Sequence, residues 1–130
     1  MPFRFFHVLS FLLFCSCHQK IKEKLVSNPD ILSKINIDLS IFDENGLYGP
    51  PDGKRAMDYE FCIPSDEKYV LLIQKTDPSI TIHRNSKGRI NCSQLQYLVL
   101  GNTHQTHFKE ILIQLASFDF IDRIDPNYFE

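Results

Sequence analysis

The stretch "AMDYEFCIPSDEKYVLLIQKT", residues 56–76, decides the fold because a strand pattern gives way to a helix pattern within it. Apolar and polar residues alternate over 56–63, which is the two-residue period of a strand with one buried face. Pro64 ends this strand, and Ser65 then precedes two acidic residues, as expected at a helix N-terminus. The following "YVLLIQKT" is predicted to be a helix that ends before Pro78, although its apolar run also fits a buried strand.

Further patterns continue this order along the chain. The segments "SITIHR" (79–84) and "NCSQLQYLVLG" (91–101) predict strands, and "FIDRIDPNYF" (120–129) predicts a short final strand. Between them, apolar residues recur over 108–115 with helical spacing. The order strand, helix, strand, strand, helix, strand predicts an α+β domain with the ferredoxin-like split βαβ arrangement, βαββαβ. It has the first and third strands as antiparallel neighbours at the centre.

An additional strand is predicted before this unit. In "KINIDLSIF", residues 34–42, isoleucine and leucine alternate with polar residues. We expect this segment to extend one edge of the sheet, so that residues 34–130 form a single domain.

The two cysteines of this domain are predicted to lie on neighbouring strands. Cys62 is near the end of the first strand of the unit and Cys92 near the start of the third. One register satisfies every facing pair, as a real register must. It sets these residues opposite each other: Cys62 and Cys92, Tyr59 and Leu95, Met57 and Tyr97, Glu60 and Gln94, Asp58 and Gln96. The pair is predicted to form a disulfide; two free thiols, or a metal-binding or catalytic pair, are the alternatives.

The same register predicts an open polar face of the sheet, directed away from the helices. We expect this face to bind a protein or peptide partner, or another ligand. Its predicted residues are Asp58, Glu60, Thr81, His83, Gln94 and Gln96.

The N-terminus has the layout of a secretory signal. Arg4 precedes the apolar run "FFHVLSFLLF", which is too short to span a bilayer as a helix. The sequence "FCSC", Phe14 to Cys17, then resembles the lipobox of bacterial lipoprotein signal peptides, with small Ser16 before the cysteine. It departs from the commonest pattern in having Phe14 where leucine usually stands.

This resemblance implies cleavage before Cys17 and acylation of that cysteine, with palmitate among the expected fatty acids. Residues 1–16 would then be a signal peptide that takes Cys15 with it, and residues 17–33 a lipidated tether. A short helix over 20–26 is compatible with the sequence. The implied location is the bacterial cell envelope, at the outer membrane or cell surface, with the membrane as a partner through the lipid anchor.

Composition excludes some classes of function. The chain has 14 basic and 16 acidic side chains, and the absence of a basic cluster argues against nucleic-acid binding.

In "GNTHQTH", His104 and His107 precede the second predicted helix, and Thr103 or Thr106 is expected to cap the N-terminus of that helix. We expect a non-enzymatic binding module without a cofactor or metal. The alternative is a periplasmic enzyme or metal-binding factor that uses His104 with Cys62 and Cys92.

Overall fold

The computed structural model describes residues 19–128, which form an α+β fold with a four-stranded antiparallel sheet and several helices. The elements are helix α1 (19–26), helix α2 (Pro29–Leu32), a 3₁₀ helix (Leu39–Ile41), strand β1 (Asp58–Pro64), helix α3 (Glu67–Thr76), strand β2 (Thr81–His83), strand β3 (Gln96–Asn102), helix α4 (Phe108–Ala116) and strand β4 (Asp125–Asn127).

The strand order is β2-β3-β1-β4, and every pair of neighbours is antiparallel. β1 and β3 therefore lie at the centre, as predicted. Tyr59 on β1 faces Gly101 on β3, and a side chain at position 101 would overlap the Tyr59 ring. This close approach explains why glycine stands inside a central strand.

One face of the sheet packs against both long helices. The predicted apolar face of β1 is confirmed, since Tyr59, Phe61 and Ile63 are fully buried. They share one core with residues of α3 and α4, among them Ile73 and Leu112. The predicted helix α3 is also confirmed, although Asp66 caps it by accepting a hydrogen bond from the Lys68 amide.

The additional strand predicted over 34–42 is wrong. Within the described residues, the strand pairing of this segment is limited to a single parallel bridge, Ile35 with Ile124. The Asp38 carboxylate accepts hydrogen bonds from both the amide and the hydroxyl of Ser40, at 3.0 and 2.6 Å, and starts the 3₁₀ helix there. The apolar alternation reflects burial only in part, since Ile37 is in the core but Ile41 is 46% exposed, and it does not reflect strand pairing.

The predicted register between the central strands is wrong by six residues. Leu98, and not Cys92, lies opposite Cys62. Residues 93–96 form a turn in which the Gln96 amide donates to the Ser93 carbonyl at 3.1 Å, so β3 begins only at Gln96, the last residue of the turn. Because six is even, the side chains of β3 keep their predicted faces while their partners change.

The segment predicted to be a tether contains a helix at 19–26, close to the 20–26 that the sequence allows. Beyond α2, the chain joins the domain through two backbone hydrogen bonds, Ile124 to Lys34 at 2.8 Å and Asn36 to Ile124 at 2.9 Å. The predicted signal peptide and Cys17 lie outside the described residues. Within residues 19–128, no helix is both long enough and apolar enough to cross a membrane.

Candidate functional site

The segment between β2 and β3, residues 84–95, lies across the sheet face opposite the helices; we call it the anchored loop. Its Cys92 is in disulfide geometry with Cys62 of β1, with a Cα–Cα distance of 5.6 Å. Ile90, Cys92 and Leu98 form a second apolar cluster beneath the loop. The face that the sequence predicted to be open is therefore partly covered by the chain itself.

Glu60 fixes this loop from below. The side chain is 1% exposed, and its Oε1 accepts a hydrogen bond of 2.6 Å from the Ile90 amide. Asn127 Nδ2 donates to Oε2 at 3.4 Å, and Arg123 Nη2 donates to the Ile90 carbonyl at 3.0 Å. A buried carboxylate is costly unless it is hydrogen-bonded, so these contacts give Glu60 a positioning role. It cannot contact a partner directly, contrary to the sequence prediction.

Gly88 allows the loop to lie this close to the sheet. Its φ is +63°, a region that disfavours residues with a Cβ. A Cβ at this position would also lie 2.7 Å from Leu98 Cδ1 and 2.9 Å from Glu60 Oε2. A larger residue would thus be strained and would push the loop off the sheet.

The outer edge of the anchored loop is polar and basic. Residues 84–89 are all exposed and include Arg84, Lys87 and Arg89. Glu67 binds Arg84 through both carboxylate oxygens, at 2.9 and 3.0 Å from Nη2, and these bonds raise the pKa of Arg84. In residues 19–128, neither Lys87 nor Arg89 is in a salt bridge. Two cations are therefore available to a partner on a loop that is held in place.

The other residues of the predicted face have separate roles. The Asp58 carboxylate accepts a 2.6 Å hydrogen bond from Asn102 Nδ2. Thr81 Oγ1 and His83 Nε2 are 3.0 Å apart on the edge strand β2. Gln96 lies on the loop side and accepts from the Ser93 amide at 2.9 Å, whereas Gln94 is exposed in the turn before β3.

A small polar cavity of about 130 Å³ opens beside the cysteine pair. Its lining includes Cys62, Ile90, Asn91, Gln96 and Arg123. Arg123 lies in the segment before β4, and its hydrogen bond to the Ile90 carbonyl connects that segment to the anchored loop.

His104 is not brought together with the cysteines. The Thr103 amide donates to the Met57 carbonyl at 2.9 Å, which places His104 beyond the start of β1. Cys62 lies five residues further along that strand, roughly 16 Å away at strand rise. Because β3 runs antiparallel to β1, the end of β3 that precedes His104 lies beside the start of β1, whereas Cys62 is near the end of β1. No group of three or more residues able to hold a metal ion occurs in residues 19–128.

The prediction that threonine caps α4 is wrong as well. The Thr103 hydroxyl is buried, donates to the Gly46 carbonyl at 2.7 Å and accepts from the Met57 amide at 2.9 Å. His107 occupies the N-cap position with φ 61°, and its Nδ1 is 2.8 Å from Glu110 Oε2. An open groove of about 540 Å³ borders this helix end, with aromatic and charged side chains in its lining.

The sequence prediction missed a buried polar network at the end of the sheet. Asp77 is fully buried and accepts from the Tyr59 hydroxyl, from the amide and hydroxyl of Ser79 at 2.9 and 2.7 Å, and from Gln105 Nε2 at 3.1 Å. Burial, followed by the charge of Asp77, raises the pKa of Tyr59 far above its usual value. The sequence "DPS" is a signal for the turn at 77–79, but it could not reveal the tyrosine.

Comparisons of the chain with protein-family models, curated proteins and solved structures found no match. The geometry of the anchored loop is therefore the main source of a functional interpretation. The loop combines the Cys62–Cys92 pair, which we call the cysteine staple, with the buried carboxylate of Glu60 and an exposed basic edge. These contacts hold the loop against the sheet and leave its basic edge exposed.

Proposed function

We propose that this protein is an exported bacterial lipoprotein, anchored through Cys17 in the cell envelope, whose domain binds a protein or peptide through the anchored loop. The observation that carries the proposal is that residues 84–89 stay exposed while Glu60 and Cys62 fix the loop beneath them. A loop fixed before binding loses little conformational entropy when a partner docks, and this preserves affinity.

The charge of the loop defines the partner chemistry that fits it. Lys87 and Arg89 stand on the exposed edge, while the cation of Arg84 is held by Glu67. We infer an acidic segment of a protein or peptide as the partner. Complementary charges of this kind accelerate encounter and fix orientation.

Two features of the chain support export and anchoring. A cysteine pair in disulfide geometry is suited to an oxidising compartment outside the cytoplasm. The segment from Phe14 to Cys17 resembles a lipobox, and several acyl chains would anchor the domain firmly where a single chain is marginal.

The fold proposal completes this picture. We propose that the sheet is the split βαβ unit of ferredoxin-like domains. Its support is the order β4-β1-β3-β2 with antiparallel neighbours, together with α3 and α4 in a common core on one face. The segment 34–42 lies outside this unit.

Site-specific photo-crosslinking in the producing bacterium tests the binding proposal. A photoreactive residue at Ser86 is expected to give a discrete protein adduct, because this position is exposed between the loop cations. The matched control position is Lys75, exposed on α3. The adduct should be lost in Lys87→Glu/Arg89→Glu and absent from position 75. Equal adducts from both positions, or none from Ser86, would refute the loop as the binding surface.

A further inference from the structure

We propose that helix α1 and the adjoining side of α4 form the membrane-facing surface of the domain, with α1 lying on the lipid. This inference rests on the proposed acylation of Cys17. It replaces the expected tether that lifts the domain away with a helical segment that holds the domain against the bilayer.

The first support is the distance from the anchor. Ile21 is four positions after Cys17, and four residues of extended chain span at most about 14 Å. An acyl group on Cys17 therefore keeps the start of α1 within that distance of the lipid headgroups. Lys34 and Asn36, which pair with Ile124, tie the chain to the sheet soon afterwards, so the domain itself must follow.

The second support is the apolar surface found at this place. Ile21 is 59% and Val26 49% exposed, although both are large aliphatic residues on a short helix. They border a groove of about 280 Å³ between α1 and α4, whose apolar lining also includes Leu25, Ile113 and Phe118. An amphipathic helix with such a face binds at the interface of a bilayer.

The third support is charge. Lys20, Lys22 and Lys24 are exposed on α1, with Glu23 as the acidic residue among them. None of these lysines is in a salt bridge within the described residues. Basic side chains next to an apolar face attract anionic lipid headgroups, which selects a lipid surface as the occupant of this groove.

This orientation has a consequence for the anchored loop. α4 packs on one face of the sheet, whereas the loop covers the opposite face. With α1 on the lipid, the loop cations therefore point away from the membrane, toward a partner. The surface that binds lipid and the surface proposed to bind protein are on opposite sides of the domain.

Fluorescence quenching by spin-labelled lipid tests the orientation in the mature, acylated protein. Val26→Cys is labelled with an environment-sensitive fluorophore, which reacts there alone if Cys17 is acylated and Cys62 and Cys92 are paired. The protein is placed in phosphatidylethanolamine–phosphatidylglycerol vesicles that contain the spin label. Leu95→Cys is the control on the opposite side, at a residue that is 79% exposed.

The expected result is loss of fluorescence at position 26 and unchanged fluorescence at position 95. Equal quenching at both positions, or no quenching at position 26, would overturn the orientation. If a second copy of this protein, and not lipid, covers the groove, position 26 should show no quenching. Ile21→Cys gives an independent reading if the Val26 variant does not fold.

Intact mass and vesicle flotation separate the two proposals. A protein that carries acyl chains and floats, but is not quenched at position 26, refutes the orientation alone. A protein without acyl chains that does not float refutes the anchor, and the orientation with it.

Discussion

Removing the cysteine staple should destabilise the domain by a predictable amount. Cys62 and Cys92 are separated by 30 residues, and closing a loop of that length lowers the entropy of the unfolded chain. In the chain-entropy description this stabilises the fold by roughly 3.5 kcal/mol. The variant Cys62→Ala/Cys92→Ala should therefore lose about that free energy of unfolding.

Urea denaturation followed by far-UV circular dichroism measures this loss in the purified protein. The wild type is compared oxidised and reduced, and the reduced wild type should match the double variant. Hydrogen exchange at the Ile90 amide gives a local reading, because this amide is held by Glu60 in the folded loop. A loss below about 1 kcal/mol, or unchanged exchange at Ile90, would contradict the staple as the main anchor of the loop.

Three further changes test the parts around the loop and the core. Glu60→Ala should cost about 1–3 kcal/mol in a urea titration, because it leaves the Ile90 amide buried without its acceptor; wild-type stability would contradict the positioning role. Gly88→Ala should cost at least about 1 kcal/mol because of its positive φ and the sheet below it. In the control Gly53→Ala, the added Cβ meets Pro50 Cγ at 3.6 Å, an ordinary van der Waals contact, so this variant should be neutral within about 0.5 kcal/mol. The fold raises the pKa of Tyr59, so the folded protein keeps the phenol proton at pH values where the unfolded chain loses it. The contribution of Tyr59 to the free energy of unfolding is therefore complete below about pH 10, the pKa of tyrosine in the unfolded chain, and should fall above it by about 1.4 kcal/mol per pH unit. Free energies of unfolding from urea titrations at alkaline pH should therefore fall less steeply with pH in Tyr59→Phe than in the wild type. An identical fall in both proteins would exclude Tyr59 as the cause.

The sequence predicted the central elements because local rules specify them. Alternation over 56–63, Pro64 and the acidic residues after it define β1 and α3 without help from distant contacts. The apolar stripe over 108–115 likewise places α4. In each of these segments, the periodicity that the sequence carries is the periodicity that burial requires.

The same periodicity could not fix the register. Alternation specifies which face a side chain occupies, and a shift by an even number of residues leaves that face unchanged. Cys62 and Cys92 were therefore correctly brought together, while their strand pairing was not. The turn at 93–96 decides where β3 begins, and its side-chain hydrogen bonds have no periodic signal.

The sequence revealed only part of the candidate site, because alternation specifies the face of a side chain but not whether another segment covers that face. Glu60 was correctly placed on the face away from the helices, but an acidic residue in an alternating strand normally indicates solvent. Its burial depends on the anchored loop folding back over the sheet, which is a tertiary event. Gly88 is a weak sequence signal for that close approach, because a glycine in a loop is equally common where the chain simply turns in solvent.

The central claim, that an exported and lipid-anchored domain carries a cysteine-stapled loop, is tested most directly by the intact mass of the protein extracted from membranes. The predicted mass is that of residues 17–130 with acyl groups on Cys17, and reduction should add the two hydrogens of one disulfide. An uncleaved, unacylated chain, or a mass that does not change on reduction, would contradict this claim.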